Sequence, residues 1–174
     1  MEDEMDRLQK EVYRLCRLKL FDDARAQCEN VLARLETNQQ RANVLGTLAY
    51  IESCRGNSRE QVDLLEQAKS IDPRNRATFG ALMDAYVEVG AYERAIDVAN
   101  ILIGLDKAFP FPSFTSTAYF RIAYANWCLH KFEEAEAALQ QSTDDGSWIQ
   151  RKMWSRAELG DLIRNKSVLP NRHQ

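Results

Sequence analysis

The sequence predicts an all-α fold built from repeated antiparallel helix pairs. Three observations carry this expectation. The 174 residues include only 7 Gly and 4 Pro, too few turn formers for a sandwich or barrel. Apolar residues recur at helical spacing, as in Leu82, Tyr86 and Val89 and then Ala95, Val98 and Leu102. The chain also repeats itself in units of 34 residues, and such a period marks a fold whose units bury their apolar faces against their neighbours.

The units follow in order. The first spans 5–38, with Leu8, Val12, Leu15, Phe21, Ala24, Cys28 and Val31 at the recurring positions. The second, 42–75, is the clearest by length and ends in Ala68-Lys69-Ser70-Ile71-Asp72-Pro73, where the proline stops a helix. The third, 76–109, contains Ala85-Tyr86-Val87-Glu88-Val89-Gly90-Ala91-Tyr92-Glu93-Arg94-Ala95-Ile96. The fourth spans 116–149, with Tyr119, Ile122, Ala123, Phe132, Ala135 and Leu139 in the same register. Lys19, Gly56, Gly90 and His130 fall at the turn between the two helices of each unit. Glycine adopts positive φ there at the least cost.

The Ala-Tyr pair, the turn Gly, the following aromatic and the Ala on the second helix resemble the tetratricopeptide repeat (TPR). So does the proline that closes the second unit. Departures are Gln61 where an Ala is expected, Lys19 and His130 at the turn, and missing prolines in units one, three and four. The resemblance implies a right-handed α-α superhelix of antiparallel helix pairs, and a single domain over 1–166. It also implies a scaffold or adaptor that binds a partner protein or peptide and is not an enzyme.

Two spacers interrupt the repeats, 39–41 and 110–115. The second is expected to form a loop whose rings Phe109, Phe111 and Phe114 fold back over the core, with Ser113 capping the next helix. The alternative for those rings is an exposed hydrophobic contact. After Asp144-Asp145-Gly146 a capping helix is expected from Ser147 or Trp148 to about residue 165. There Trp148, Ile149, Met153, Trp154 and Ala157 would cover the last repeat. Residues 167–174 read as a frayed tail.

The net charge of -3 gives no general pull toward nucleic acid. From Ser147 onward, six basic residues outnumber two acidic ones, which reads as a solvated end cap, with docking of an acidic partner as the alternative. The acidic start Met1-Glu2-Asp3-Glu4-Met5-Asp6 does not look like a secretion signal. No apolar run is long enough for membrane insertion. Cys16, Cys28, Cys54 and Cys128 lack C-x-x-C spacing and sit in apolar segments, so a reducing, cytoplasmic location is expected.

The two histidines, His130 and His173, have no metal-ligand spacing, and no phosphate or dinucleotide fingerprint occurs. Neither metal nor cofactor is expected. The acid pairs Asp22-Asp23, Glu133-Glu134 and Asp144-Asp145 fall at turns or helix starts, where carboxylates favour the positive end of the helix dipole.

In TPR proteins the first helix of each unit lines a concave groove. Carried onto this chain, the resemblance nominates Tyr13, Arg17, Asn43, Tyr50, Asp84, Phe120, Arg121, Tyr124 and Trp127 as partner-binding residues. The rings offer large contact area at little entropic cost. Gly46, Gly80 and Ala77 would leave room for an incoming chain. Tyr13, Tyr50 and Asp84 stand where a chaperone-tail carboxylate clamp would need cations, which argues against a clamp. The stretch Phe109-Pro110-Phe111-Pro112 is similar to one in repeat-type chaperones of type III secretion, and this is the alternative function. A self-associating structural module, with a homodimer contact through Phe111, Phe114 or the C-terminal helix, is a further alternative.

Overall fold

The computed structural model describes residues 4–150 and 152–167. The expectations for the first three residues and for 168–174 lie outside the described residues. The chain divides into two compact units, Met1–Ala81 and Leu82–Gln174.

In the first unit, α1 (Glu4–Arg17) pairs with α2 (Phe21–Leu32), and α3 (Asn38–Arg55) pairs with α4 (Ser58–Ile71). Helix α5 (Arg76–Glu88) starts in this unit and ends in the second. The second unit continues with α6 (Tyr92–Asp106), α7 (Thr115–Cys128) and α8 (Phe132–Gln141). A hairpin of β1 (Gly146–Ile149) and β2 (Lys152–Ser155) follows, and α9 (Arg156–Arg164) ends the described secondary structure.

The turn inside each helix pair has one geometry, used four times. Lys19 (φ 60°), Gly56 (φ 84°), Gly90 (φ 75°) and His130 (φ 60°) all adopt the left-handed conformation. Each is followed by a residue of nearly constant shape: Leu20, Asn57, Ala91 and Lys131 have φ between -83° and -91° and ψ between 61° and 73°. The amide of that second residue reaches back five positions, from Leu20 to Leu15, Asn57 to Glu52, Ala91 to Tyr86 and Lys131 to Asn126, over 2.8–2.9 Å. This double closure satisfies carbonyls that the helix end would otherwise leave unpaired. The second helices then start without a side-chain cap, and α2, α6 and α8 carry Asp22 and Asp23, Glu93, and Glu133 and Glu134 in their first turns, against the exposed N–H dipoles.

Small residues set the packing distance. Ala24, Ala95 and Ala135 occupy the same place on the second helices and are all buried. Ala49 and Ala123 do so on the first helices. The alanines let paired helices approach closely, and Val12, Ile51 and Leu65 in one unit and Leu82, Leu102 and Leu159 in the other fill the remaining space.

Three helix starts differ from expectation. Residues 39–41 are not a spacer but the first turn of α3. Thr37 accepts from the Gln40 amide at 3.2 Å and its hydroxyl donates to the Gln40 side chain at 2.8 Å, an N-cap that pulls the helix start back to Asn38. Ser113 does not cap α7. That role falls to buried Asp106 at the end of α6, whose carboxylate accepts from the Phe114 and Thr115 amides at 2.9 Å and from the Thr115 hydroxyl at 2.8 Å. The loop so anchored leaves Phe111 85% exposed and Phe109 45% exposed, rather than folded over the core. The capping helix begins at Arg156, not at Ser147 or Trp148, because residues 146–155 form the hairpin. Ser155, accepting from the Glu158 amide at 3.0 Å, starts that helix.

Glu52 stands where the repeat pattern expects Tyr, and it is buried. Arg25 of α2 donates to one carboxylate oxygen at 2.7 Å and Asn57 donates to the other at 2.7 Å. Burial alone would raise the Glu52 carboxyl, but the Asn57 and Arg25 hydrogen bonds and the Arg25 charge outweigh it and hold it below its ordinary value of 4.5.

The turns and the buried acid can both be tested by unfolding. An added Cβ at Gly56 or Gly90 meets nothing within 4 Å, so the whole cost of substitution there is backbone strain. In urea unfolding, Gly56→Ala and Gly90→Ala are expected to lose about 1 kcal/mol each, and Lys19→Gly and His130→Gly to gain about 1 kcal/mol each. For Glu52, a depressed folded pKa contributes stability above the unfolded value and loses it as pH falls through the folded one. Acid titration of the fold is therefore expected to show a loss of stability below about pH 4.5 that is reduced in Glu52→Gln.

Candidate functional site

The first helices of the two units present different faces. In the first unit, Tyr13 on α1 and Tyr50 on α3 meet edge to face, with ring centroids 4.7 Å apart and planes at 70°. They remain 46% and 39% exposed despite that contact. Such a pair adds roughly 0.5–1.5 kcal/mol beyond its buried area and holds both rings in one orientation at the surface. Arg17 is exposed one turn beyond Tyr13. Asn43 is half-buried, and its side-chain oxygen accepts from Asn75 at 2.8 Å, while the Asn75 oxygen takes the Thr78 amide at the start of α5. Beside these residues a Cβ added to Gly46 would meet nothing within 4 Å, so the surface there is open.

Burial pushes the Tyr50 hydroxyl up to about 12. Burial likewise pushes the Cys16 thiol up to about 11 and the Cys28 thiol up to about 12. These groups stay protonated near neutrality.

The corresponding face of the second unit is covered by its own chain. Helix α7 is apolar on almost every side: Phe120, Tyr124 and Trp127 are buried, as is Arg121. The four were expected to line a groove, and the structure corrects this, because the hairpin and the residues after α9 lie on them. Arg121 donates to Asp84 at 2.5 Å, to the Ser147 hydroxyl at 2.6 Å and to the Trp148 carbonyl at 2.8 Å. That set satisfies a guanidinium whose side chain keeps only 7% exposure. The Tyr124 hydroxyl donates to Gln150 at 3.1 Å, and Gln150 in turn binds the Glu88 carboxylate and the Val87 carbonyl at 3.0 and 3.1 Å. The Trp127 indole donates to the Ser167 carbonyl at 2.6 Å.

Trp154 from the hairpin completes the cover. It packs on Tyr124 and Trp127 with centroids 5.4 and 5.5 Å away, and Lys152 lies over its ring face at 3.7 Å. Asp84, also nominated for the groove, serves here as the partner of Arg121 and keeps half of its side chain exposed. Burial pushes the Tyr124 hydroxyl far up and the Tyr92 hydroxyl up to about 12. The sequence carried a signal for the start of α9 alone: Ser155-x-x-Glu158 has the spacing of a capping box.

Among the described residues, no group of three or more His, Cys, Asp and Glu side chains is placed to hold a metal ion. No described helix is long and apolar enough to cross a membrane.

The chain matches no family model and no curated protein. Solved structures are similar to it in fold. Nearly identical TPR-like repeats assigned to a kinesin light chain of Podosopora anserina align with TM-score 0.66 and 22% identity, over 81% of this chain and 75% of that one. A tetratricopeptide repeat protein of Parabacteroides merdae aligns with TM-score 0.70 and 17% identity, over 94% of this chain and 62% of that one. A mutant of MamA aligns with TM-score 0.56 and 19% identity, over 79% of this chain and 75% of that one.

The hairpin start is tightly fitted, which makes the cover testable. A Cβ on Gly146 would sit 2.7 Å from the Trp154 carbonyl oxygen. All three tryptophans, Trp127, Trp148 and Trp154, lie in the second unit, so indole fluorescence reports on it alone. Gly146→Ala is expected to cost about 1–3 kcal/mol in that transition. The native emission is also expected to shift to the red as Trp127 and Trp154 gain water, measured against Gly104→Ala, where an added Cβ meets nothing within 4 Å. With four helix pairs joined by one repeated turn, and with these structural relatives, the chain has an all-α tetratricopeptide-type fold.

Proposed function

We propose that this protein is a protein-interaction scaffold that binds an extended or helical peptide on the α1–α3 face of its first unit. The observation that carries the reading is the exposed Tyr13–Tyr50 pair beside the open surface at Gly46. A pre-set aromatic pair loses little conformational freedom when a partner lands on it, which is what makes tyrosine effective at interfaces. Arg17 extends the face with a cation that can reach a partner's carbonyl or carboxylate. Asn43 is oriented by Asn75, so its remaining amide hydrogens point in a fixed direction.

Phe120, Tyr124 and Trp127 hold the hairpin in the second unit and so support the scaffold rather than the partner. Catalysis is not part of this proposal, since the buried thiols and phenols are held in their neutral forms. The four free cysteines fit a reducing, cytoplasmic setting.

A second reading rests on Phe111, whose ring is 85% exposed in a loop pinned by Asp106. A ring in that position favours self-association through a second copy. Light scattering across micromolar concentrations separates the two readings, because a monomer throughout removes the second.

For the leading reading, Tyr13→Ala/Tyr50→Ala is expected to weaken capture of the native partner at least tenfold, equivalent to about 1.4 kcal/mol or more. The check is quantitative affinity capture from the native host with wild-type and folded double-variant protein. Equal partner recovery by both would sink the peptide face. Phe111→Ser serves as the control, expected to bind the partner as wild type does.

A further inference from the structure

Helix α1 carries a line of cations on its outer side. Arg7, Lys10, Arg14 and Arg17 stand at i, i+3, i+7 and i+10, a spacing that keeps them on one helix face, and all four are exposed. Leu8, Val12 and Leu15 hold the opposite face in the core. The line runs about 15 Å along the axis, at roughly 1.5 Å per residue. Tyr13 lies on its flank, three residues after Lys10 and four before Arg17. Both cations therefore share the side of α1 on which Tyr13 meets Tyr50.

The acids that could neutralise this line are engaged or stand before it. From Arg7 to Lys19, five basic residues face one acid, Glu11. Both Glu11 oxygens accept from Arg14, at 2.6 and 2.8 Å. Glu4 pairs with Arg34 at 3.1 Å, and Asp6 precedes the first cation. The single acid of α3, Glu52, is buried and bound by Arg25 and Asn57. Arg7 and Arg17 form no ion pair among the described residues. The α1–α3 face is thus locally positive, although the chain carries -3 overall.

We propose that the peptide bound on the α1–α3 face is acidic, with carboxylates that pair with the line of cations on α1 while an apolar side chain reaches the Tyr13–Tyr50 pair. The inference rests on that face being the binding face, and it adds the chemistry of the partner. The cations step along α1 by roughly 4.5 and 6 Å, the interval at which side chains recur on one face of a helical partner. Exposed ion pairs are individually weak, so discrimination comes from several of them in register. A line one side chain wide fits a single chain better than a lipid surface, and the net charge of -3 gives no general pull toward a polyanion.

The experiment titrates the full chain into a labelled synthetic peptide of about 14 residues, with Glu at i, i+3, i+7 and i+10 and Leu between them, and reads fluorescence anisotropy. A matched peptide with Lys in place of every Glu is the counter-probe. The acidic peptide is expected to bind at least about tenfold more tightly than the basic one, and to weaken at least about threefold between about 50 and about 300 mM salt. That comparison uses the wild type alone, so it holds whatever the variants do. Lys10→Glu/Arg17→Glu changes two exposed residues, and with an unchanged circular dichroism spectrum it is expected to weaken acidic-peptide binding about tenfold. Arg59→Glu/Arg74→Glu makes the same change in net charge on exposed residues elsewhere in the first unit and should bind as the wild type does. The proposal is overturned if the two peptides bind alike, or if the two charge-reversed variants lose affinity equally. It is also overturned if the chain is retained on vesicles containing phosphatidylserine yet does not bind the acidic peptide. Unchanged partner capture by Tyr13→Ala/Tyr50→Ala would instead sink the α1–α3 face itself, so the two failures are told apart.

Discussion

A helix pair is useful to this chain only if its two helices keep a fixed register, and one turn provides that four times. The left-handed residue and the residue of nearly constant φ and ψ after it reverse the chain within two positions. The amide that reaches back five residues ties off the first helix while the second begins. Everything else is built on that register. It sets Ala24, Ala95 and Ala135 at the point of closest helix approach, and it keeps one stripe of each first helix turned away from its own partner helix. The requirement is met by glycine in two turns and by Lys19 and His130 in the other two. The conformation is therefore set by the hydrogen-bonded turn and not by glycine alone.

The stripe on the first helices meets two fates. In the first unit it keeps Tyr13 and Tyr50 at the surface. In the second unit, the chain's own hairpin lies across α7. Large apolar area explains this choice. Phe120, Tyr124 and Trp127 on consecutive turns would otherwise expose several hundred Å², on the order of the largest apolar patches that soluble proteins leave bare. Trp154 buries them, and Arg121 gathers the hairpin's polar groups through directed hydrogen bonds. Two buried donors, Arg55 Nε and Trp154 Nε1, have no hydrogen-bond partner among the described residues. For Trp154 the aromatic packing and the Lys152 cation over its ring offset that loss.

The buried carboxylates are fully committed. Glu52 replaces an aromatic in the repeat pattern, yet it is tolerated because Arg25 and Asn57 each occupy one carboxylate oxygen. Removing either partner would leave a desolvated charge, which is why the substitution is a linked set and not a single change. Asp106 plays a comparable part in the second unit, holding the start of α7 through backbone amides and the Thr115 hydroxyl. In both cases a carboxylate with several short hydrogen bonds fixes the relation between successive helices.

The sequence by itself determined the helix pairs, the four turn positions and the aromatic stripe on the first helices. Local rules suffice for these: apolar period, turn chemistry and close small-residue spacing act over a few neighbouring residues. Two helix starts are also legible locally, the cap of Thr37 on Gln40 and the cap of Ser155 on Glu158. The tertiary structure alone decided which nominated residues face water. Tyr13 and Trp127 sit on the same stripe of the repeat, and nothing within either helix distinguishes them. What separates them is the segment 146–155, far along the chain from the start of α7, which folds as a hairpin and not as a helix. It does so because Gly146 allows the strands to close and because the rings of α7 need a cover. Asp106 is a similar case: its acid lies inside an apolar helical run, and the returning loop with Thr115 gives it hydrogen-bond partners.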